Sequence, residues 1–233
     1  MDAVILAAGL GTRLKEYTQN TCKCLISVHD KTILERQIEI LVKCNVDHIY
    51  IVGGYCFSKL NEFVLQLSYK NIFLIENSHY LTTNNMYSLS LVAPYLKNKA
   101  FLLLNGDVLF EKEVIEGLLL KKNENVIAVD TSLYLEESMK VKVNKQRIYE
   151  ISKTISANEA FGVSLDIYLF NAKTSTLLFN FMEEYLKIDK KSWSEVAIDA
   201  ILKKEFFTYY LIHSKWVEID TISDLKTALG LFD

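Results

Sequence analysis

Breakers are scarce in this chain. One proline and eight glycines in 233 residues leave no room for collagen-like, proline-rich or low-complexity segments. No apolar run approaches the roughly 18 residues that a membrane span needs, so no membrane partner is expected. No basic segment precedes the first apolar stretch, which passes from Met1-Asp2 into Gly9-Leu10-Gly11, so a secretory leader is not expected and a cytoplasmic location is. There is no positive excess either. The 26 Lys+Arg face 29 Asp+Glu, a net charge of −3, which denies nucleic acid a broad cationic field. Lys121-Lys122 and Lys190-Lys191 read as solvated helix ends. Cys22, Cys24, Cys44 and Cys56 make no CxxC pair and no zinc spacing with the four histidines, and read as free thiols.

What is present is an ordinary globular composition, 50% hydrophobic and 24% charged, at a length that suits one domain. Val4–Ala7, His48–Val52, Asn71–Ile75 and Ala100–Leu104 read as strands. Between them Lys31–Lys43 and the Leu60, Phe63, Val64, Leu67 stripe read as helices. Strands alternating with amphipathic helices predict a mostly parallel sheet covered on both faces, an α/β fold. The second half predicts strands at Val126–Asp130, Lys140–Val143, Arg147–Ile151 and Gly162–Phe170, with Asn144-Lys145-Gln146 as a hairpin connection. Helices near Lys173–Leu186 and Ser194–Lys203 follow, then strands at Phe206–Ile212 and Trp216–Ile219. Thr221-x-x-Asp224 fits a capping box. The expectation is a Rossmann-like mixed sheet flanked by helices, with a small antiparallel addition in the second half.

Five of the eight glycines, Gly9, Gly11, Gly53, Gly54 and Gly106, follow short apolar runs, where glycine lets the backbone turn sharply or approach a ligand. The first of these loops, Leu6-Ala7-Ala8-Gly9-Leu10-Gly11-Thr12-Arg13-Leu14, fails the dinucleotide fingerprint because Leu14 stands at the third glycine position. It fails the P-loop pattern because no Gly-Lys-Ser/Thr follows. On its residues it is a small turn able to point N–H groups at an anion, or simply a tight connection. Leu102-Leu103-Leu104-Asn105-Gly106-Asp107 ends a buried strand in a carboxylate, at the edge where open α/β sheets bind ligands. Asp107 also reads as a cap for a Glu111–Lys121 helix, and Asp220 as a loop carboxylate before the last helix.

The first loop, continuing through Thr18, Thr21, Lys23 and Leu25, resembles the nucleotide-sugar pyrophosphorylase signature LAAGxGTRLxPxTxxxPKxL. Glu16 and Cys22 stand where that family usually has proline, which changes loop stiffness and not the phosphate chemistry. The segment Thr82-Thr83-Asn84-Asn85-Met86-Tyr87-Ser88-Leu89 is similar to the cytidylyltransferases that activate phosphocholine and aminoethylphosphonate. Read from its residues alone, it is the N-cap of a helix bearing Met86 and Leu89.

The resemblance implies one nucleotidyltransferase domain over residues 1–233, with a nucleotide-binding half (1–125) and an acceptor-binding half (126–233). It implies Mg²⁺ on Asp107 and Asp220, in keeping with that ion's use of one or two carboxylates plus phosphate oxygens. Arg13 and Lys23 would neutralise a triphosphate and Lys153 would orient the acceptor. Leu6, Ala7, Ala8, Gly9, Gly11, Thr12, Asn84, Asn85, Ser88 and Gly106 complete the expected nucleotide site, and CTP is the expected nucleotide. Met139, Lys140, Lys142, Trp193 and Glu195 join Lys153 on the expected acceptor side. Lys140 and Lys142, on one strand face by period two, are expected to favour a carboxylate-bearing acceptor, phosphoglutamine-like, or aminoethylphosphonate, over phosphocholine. A sugar-1-phosphate enzyme using UTP or dTTP, and a non-catalytic nucleotide-binding module, are the alternatives.

Overall fold

β1 (Asp2–Ala7) is buried at every position, as a strand covered on both faces must be. The computed structural model, which describes residues 1–232, continues from it through two short 3-10 turns, Thr12–Thr18 and Lys23–Leu25. A small antiparallel pair follows, β2 (Ser27–Val28) and β3 (Lys31–Thr32). α1 (Ile33–Lys43) starts two residues later than its apolar stripe suggests, because Lys31 and Thr32 pair with β2. The Thr32 hydroxyl accepts the Glu35 N–H at 3.1 Å, satisfying one of the unpaired first-turn donors. The chain then runs β4 (Ile49–Gly53), α2 (Phe57–Gln66), β5 (Ile72–Glu76), α3 (Asn85–Ser90), α4 (Ala93–Leu96), β6 (Phe101–Asn105), β7 (Val108–Phe110) and α5 (Lys112–Leu119). The second half comprises β8 (Val126–Asp130), β9 (Lys140–Asn144), β10 (Arg147–Ser152), β11 (Gly162–Phe170), α6 (Ala172–Tyr185), α7 (Ser194–Leu202), β12 (Thr208–Leu211), β13 (Trp216–Glu218) and α8 (Ile222–Leu231).

Nine strands form the main sheet in the order β10-β9-β11-β6-β1-β4-β5, with β8 pairing β11 and β12 pairing β8. β6, β1, β4 and β5 are parallel, and β11 joins β6 antiparallel. The sheet therefore runs unbroken through both halves of the sequence. Alternation along β1 sends Ala3, Ile5 and Ala7 to a core shared with α1, α2 and α5, and Val4 and Leu6 to one shared with α3, α6 and α7. The expected hairpin is present between β9 and β10, and the Thr221–Asp224 capping box opens α8. The four cysteines are free thiols, with Cys22 and Cys24 buried. Among the described residues no helix is long and apolar enough to cross a membrane.

A third, smaller core decides where the candidate functional groups lie. Leu14 of the glycine loop, Ile26, Ile33, Leu109, Ile219, Leu225 and Phe232 pack together. This cluster pins the first loop, the segment after Asp107 and the segment before Asp220 to one spot. β7 and β13 pair antiparallel beside it, with Glu218 opposite Val108, and Ile219 N–H donates to Asp107 O at 2.9 Å.

Gly106 lies between β6 and Asp107, where its N–H donates to Leu6 O at 2.8 Å. A Cβ there would fall 2.8 Å from that same carbonyl oxygen and 3.1 Å from the Ala7 Cβ. Both neighbours belong to the central strand and have little freedom to yield. Gly106→Ala is therefore expected to lower unfolding stability by about 1–3 kcal/mol, the usual cost of overpacking. Urea denaturation measures it, and an unchanged midpoint would show that β1 and β6 can part at this point.

Candidate active site

Asp107 and Asp220, far apart in sequence, meet across the β7–β13 pairing. Lys23 reaches between them, its Nζ 2.7 Å from Asp107 Oδ2 and 2.6 Å from Asp220 Oδ1. Arg13 Nη2 lies 2.7 Å from Asp220 Oδ2. From the opposite side α1 contributes Gln37, fully buried, whose Nε2 donates at 2.8 Å to both Asn105 O and Val108 O. That amide clamps the turn on which Asp107 stands. Asp107 is thus held by its turn and by a lysine, and it does not cap α5.

Glu218 completes an acidic group: Asp107, Glu218 and Asp220 bring carboxylate oxygens within 4.8 Å of one another. Burial pushes Glu218 up to about 7, and the charges of Asp107 and Asp220 push the same way. Burial would also raise Asp220, but Lys23 and Arg13 outweigh it and hold that carboxyl below its ordinary value. Lys23 shows the reciprocal balance. Desolvation disfavours its charge, yet the two aspartates prevail and raise its pKa. Asp107 Oδ1 is buried with no hydrogen-bond partner, so an acceptor is left over in a crowded, oxygen-only group. A hard cation suits that donor set.

These groups close one end of a cavity of about 320 Å³. Leu6, Ala8, Gly9 and Arg13 of the first loop line it, together with Asn84, Asn85 and Ser88. Its other end is formed by Met139, Lys153, Trp193, Glu195 and Asp166. Lys153 Nζ sits 4.7 Å from the centre of the Trp193 ring. Tyr168 Oη lies 2.9 Å from Asp166 Oδ1 and 3.2 Å from Glu195 Oε1, and Ser194 Oγ donates to Glu195 Oε1 at 3.1 Å. Asp166 stands on a bulge of β11, where the register to β8 shifts, and its backbone is left-handed at φ 56°. Asn105 Nδ2 donates to its Oδ2 at 3.2 Å. A non-glycine residue in this conformation costs energy that the surroundings must offset, and such strain gathers at functional sites.

Most of the residues singled out in the sequence come together here, but not all. Ala7, Gly11, Lys23 and Gly106 are not among the residues that line the cavity, and Thr12 borders a separate depression. Lys140 and Lys142 are not on the wall at all, against expectation. Lys140 is fully buried, donates to Glu136 O at 2.6 Å and lies over the Tyr134 ring, absorbed by the loop ahead of β9. Lys142 pairs with Glu150 and Glu159. Period two correctly puts both on one face, but the covering loop determines what that face meets. Sequence reading does not reach Asp166, Glu218 or Gln37. Glu218 ends β13 two residues before Asp220, and their carboxylates reach the same acidic group. Asp166 interrupts an otherwise apolar buried strand, and a buried charge is the informative exception.

Burial holds the Asp166 carboxyl well above its ordinary value, with Glu195 and Glu218 adding repulsion. The unfolded chain ionises it near ~4, so the folded state retains a proton that the unfolded state loses. Its contribution to stability is complete below that pH and is eroded as pH rises through the folded-state value. Asp166→Asn removes the titration and is tolerated at positive φ. The variant should therefore gain stability over the parent at pH 8 and show no gain at pH 4. Urea midpoints at the two pH values measure this, and a gain confined to pH 4 would contradict it.

The chain matches the MobA-like NTP transferase domain over residues 3–137. It is 25% identical to the CTP:phosphoglutamine cytidylyltransferase of Campylobacter jejuni, covering 98% of this chain and 99% of that one. It is 27% identical to the choline-phosphate cytidylyltransferase of Haemophilus influenzae, over 96% of this chain and 94% of that one. In fold it superimposes on the inositol-1-phosphate CTP transferase of T. maritima with a TM-score of 0.82 at 21% identity, covering 98% and 96% of the two chains. With a family match over more than half its length, which includes the first loop and the strand that ends at Asp107, the chain belongs to the MobA-like NTP transferases and is a nucleotidyltransferase.

Proposed function

We propose that this enzyme transfers CMP from CTP to a small acceptor carrying a phosphate or phosphonate, with release of pyrophosphate. The acidic group at the floor of the cavity, with Arg13 and Lys23 against it, is the observation that carries the reading. An acceptor oxygen forms a bond to the α-phosphorus while the α-phosphorus bond to the bridging oxygen breaks, and pyrophosphate leaves with that electron pair. A phosphomonoester has its second pKa near ~6 and arrives already ionised, so no general base is needed. Catalysis is then positioning and charge neutralisation.

Five carboxylates and two cationic side chains line the cavity, an unfavourable setting for a triphosphate unless a further cation is present. Asp107 and Asp220, with Glu218 within reach, would hold Mg²⁺, which supplies positive charge to the triphosphate and the departing pyrophosphate. Lys23 keeps the two aspartates together, and Arg13 stands at the mouth of the same end. Lys153 faces the cavity from the acceptor side. Cytidine is favoured by the two named relatives, whose activity is cytidylyl transfer.

The acceptor follows from the other end. With Lys140 and Lys142 outside the cavity, the reason for preferring a carboxylate-bearing acceptor is gone. Asp166 and Glu195 line that end, and burial raises both carboxyls. An ammonium group bound between them would draw them back toward the ionised form and gain charge-assisted hydrogen bonds, so they favour an acceptor bearing an ammonium group instead. Phosphocholine, aminoethylphosphonate and a phosphorylated amino acid all carry one; a sugar phosphate or inositol phosphate does not.

Pyrophosphate release across four nucleoside triphosphates and these acceptors tests the reading. CTP with ammonium-bearing acceptors should lead, and Glu195→Gln should raise the KM of that acceptor about tenfold, ~1.4 kcal/mol. A preference for UTP with a sugar phosphate would return the enzyme to the sugar-nucleotide class. Asp107→Asn and Asp220→Ala should each lower kcat by about a hundredfold or more, at least ~2.7 kcal/mol in the barrier. Full activity in both variants with Mg²⁺ still required would contradict the metal assignment.

A further inference from the structure

Asn84 and Asn85 line the cavity between its two ends, yet their polar atoms are directed at one segment of the second half. Asn84 N–H donates to Lys190 O at 3.0 Å, and its Nδ2 donates to Lys191 O at 3.2 Å. Asn84 Oδ1 accepts the Asn85 N–H at 2.8 Å, opening α3. Asn85 Oδ1 accepts the Ser194 N–H at 2.8 Å. That last bond has a specific meaning. α7 begins at Ser194, and the residue at its cap position is Trp193, which makes no side-chain cap. A helix start leaves its first N–H groups without partners unless something outside supplies an oxygen. Asn85 supplies it, capping α7 from a different helix.

The segment so held carries the acceptor-side groups. Trp193, 45% exposed, and Glu195, 4% exposed, flank the capped Ser194. Within the segment, Asp189 Oδ1 accepts the Lys191 N–H at 2.7 Å and Asp189 Oδ2 accepts from Ser192 Oγ at 2.6 Å. It is a tight turn of its own, and its attachment to the other half of the cavity runs through the two asparagines and the packing of α3 on α7. With Asn84 Oδ1 and Nδ2 and Asn85 Oδ1 already engaged, and the Asn85 side chain also hydrogen-bonded to Glu195, these side chains have few groups left to read a base.

We propose that Asn84 and Asn85 are positioning residues for the acceptor, fixing Trp193 and Glu195 by capping and tethering the 190–194 segment, and that they do not select the nucleotide base. This rests on the cytidylyltransferase reading above. It deepens that reading by joining the nucleotide side of the cavity to acceptor affinity.

Three variants and two kinds of measurement decide it. Asn85→Ala removes both the cap and the contact to Glu195, and Asn85→Asp keeps an oxygen to accept the Ser194 N–H while giving up the amide that faces Glu195. Asn84→Asp keeps the α3 cap and removes only the amide donor to Lys191. Hydrogen exchange on the substrate-free protein should show residues 190–196 losing protection in Asn85→Ala and regaining part of it, foremost at the Ser194 amide, in Asn85→Asp, with β6 unchanged throughout. In turnover, Asn85→Ala should raise the acceptor KM about five- to tenfold, the scale of one neutral hydrogen bond, and leave the KM for CTP and the preference for CTP over UTP unchanged. Asn84→Asp should act in the same direction. A shift in CTP affinity or base preference as large as the acceptor effect overturns the proposal, as does unchanged exchange in 190–196. No turnover of CTP by the parent with any acceptor would sink the cytidylyltransferase reading, and the exchange measurements would then decide the positioning role alone.

Discussion

One ammonium group between two carboxylates governs the acidic end of the cavity. Lys23 contacts Asp107 and Asp220 at 2.7 and 2.6 Å in a place with little solvent to screen the charges, where an unpaired carboxylate would be costly. Even with Lys23 present the balance is incomplete. Glu218 is pushed to about 7 by burial and by its acidic neighbours, and Asp107 Oδ1 has no partner. An arrangement this crowded holds together because its framework is apolar. The cluster of Leu14, Leu109, Ile219, Leu225 and Phe232 joins the three segments that carry the charges, and the β7–β13 ladder fixes their register. Hydrophobic burial thus offsets an electrostatic arrangement that would not assemble by itself.

The cavity repeats the pattern at its far end. Asp166 is held in a left-handed bulge between Asn105 and Tyr168, and Glu195 is buried between Ser194 and Tyr168. On the proposed reading, each acidic end waits for a cation that the enzyme does not itself provide, a metal at one and the acceptor's ammonium at the other. The phosphates would lie between Arg13 and Lys153. Selectivity then follows from what each end leaves unpaired when the wrong partner enters, since a buried polar group without its partner costs more than a lost contact.

Much of this was legible in the amino-acid order, and the boundary is physical. The first loop, the Asn105-Gly106-Asp107 turn and the Thr221–Asp224 box are local patterns, set by neighbouring residues, and each appears where the sequence puts it. Main-sheet strands and long helices follow from periodicity to within a few residues. What escapes is non-local. Nothing near Gln37 announces that its amide will clamp the turn of Asp107, and nothing near Asp166 announces the contact to Asn105. Lys140 shows the limit in the other direction. Its face on β9 could be read, but the loop that buries it over Tyr134 could not. Asn84 and Asn85 carry both lessons, because their capping role is written locally while the Ser194 amide that Asn85 receives lies on another helix.

The central claim is that the α-phosphorus of CTP becomes bonded to an oxygen of the acceptor's phosphorus group at this cavity. Phosphorus-31 NMR of a reaction containing enzyme, CTP, Mg²⁺ and an ammonium-bearing phosphorylated acceptor observes that bond directly. The account predicts two new mutually coupled resonances from the joined phosphorus atoms, growing in step with inorganic pyrophosphate. CDP with inorganic phosphate, or CTP left intact beside an unchanged acceptor signal, would contradict it.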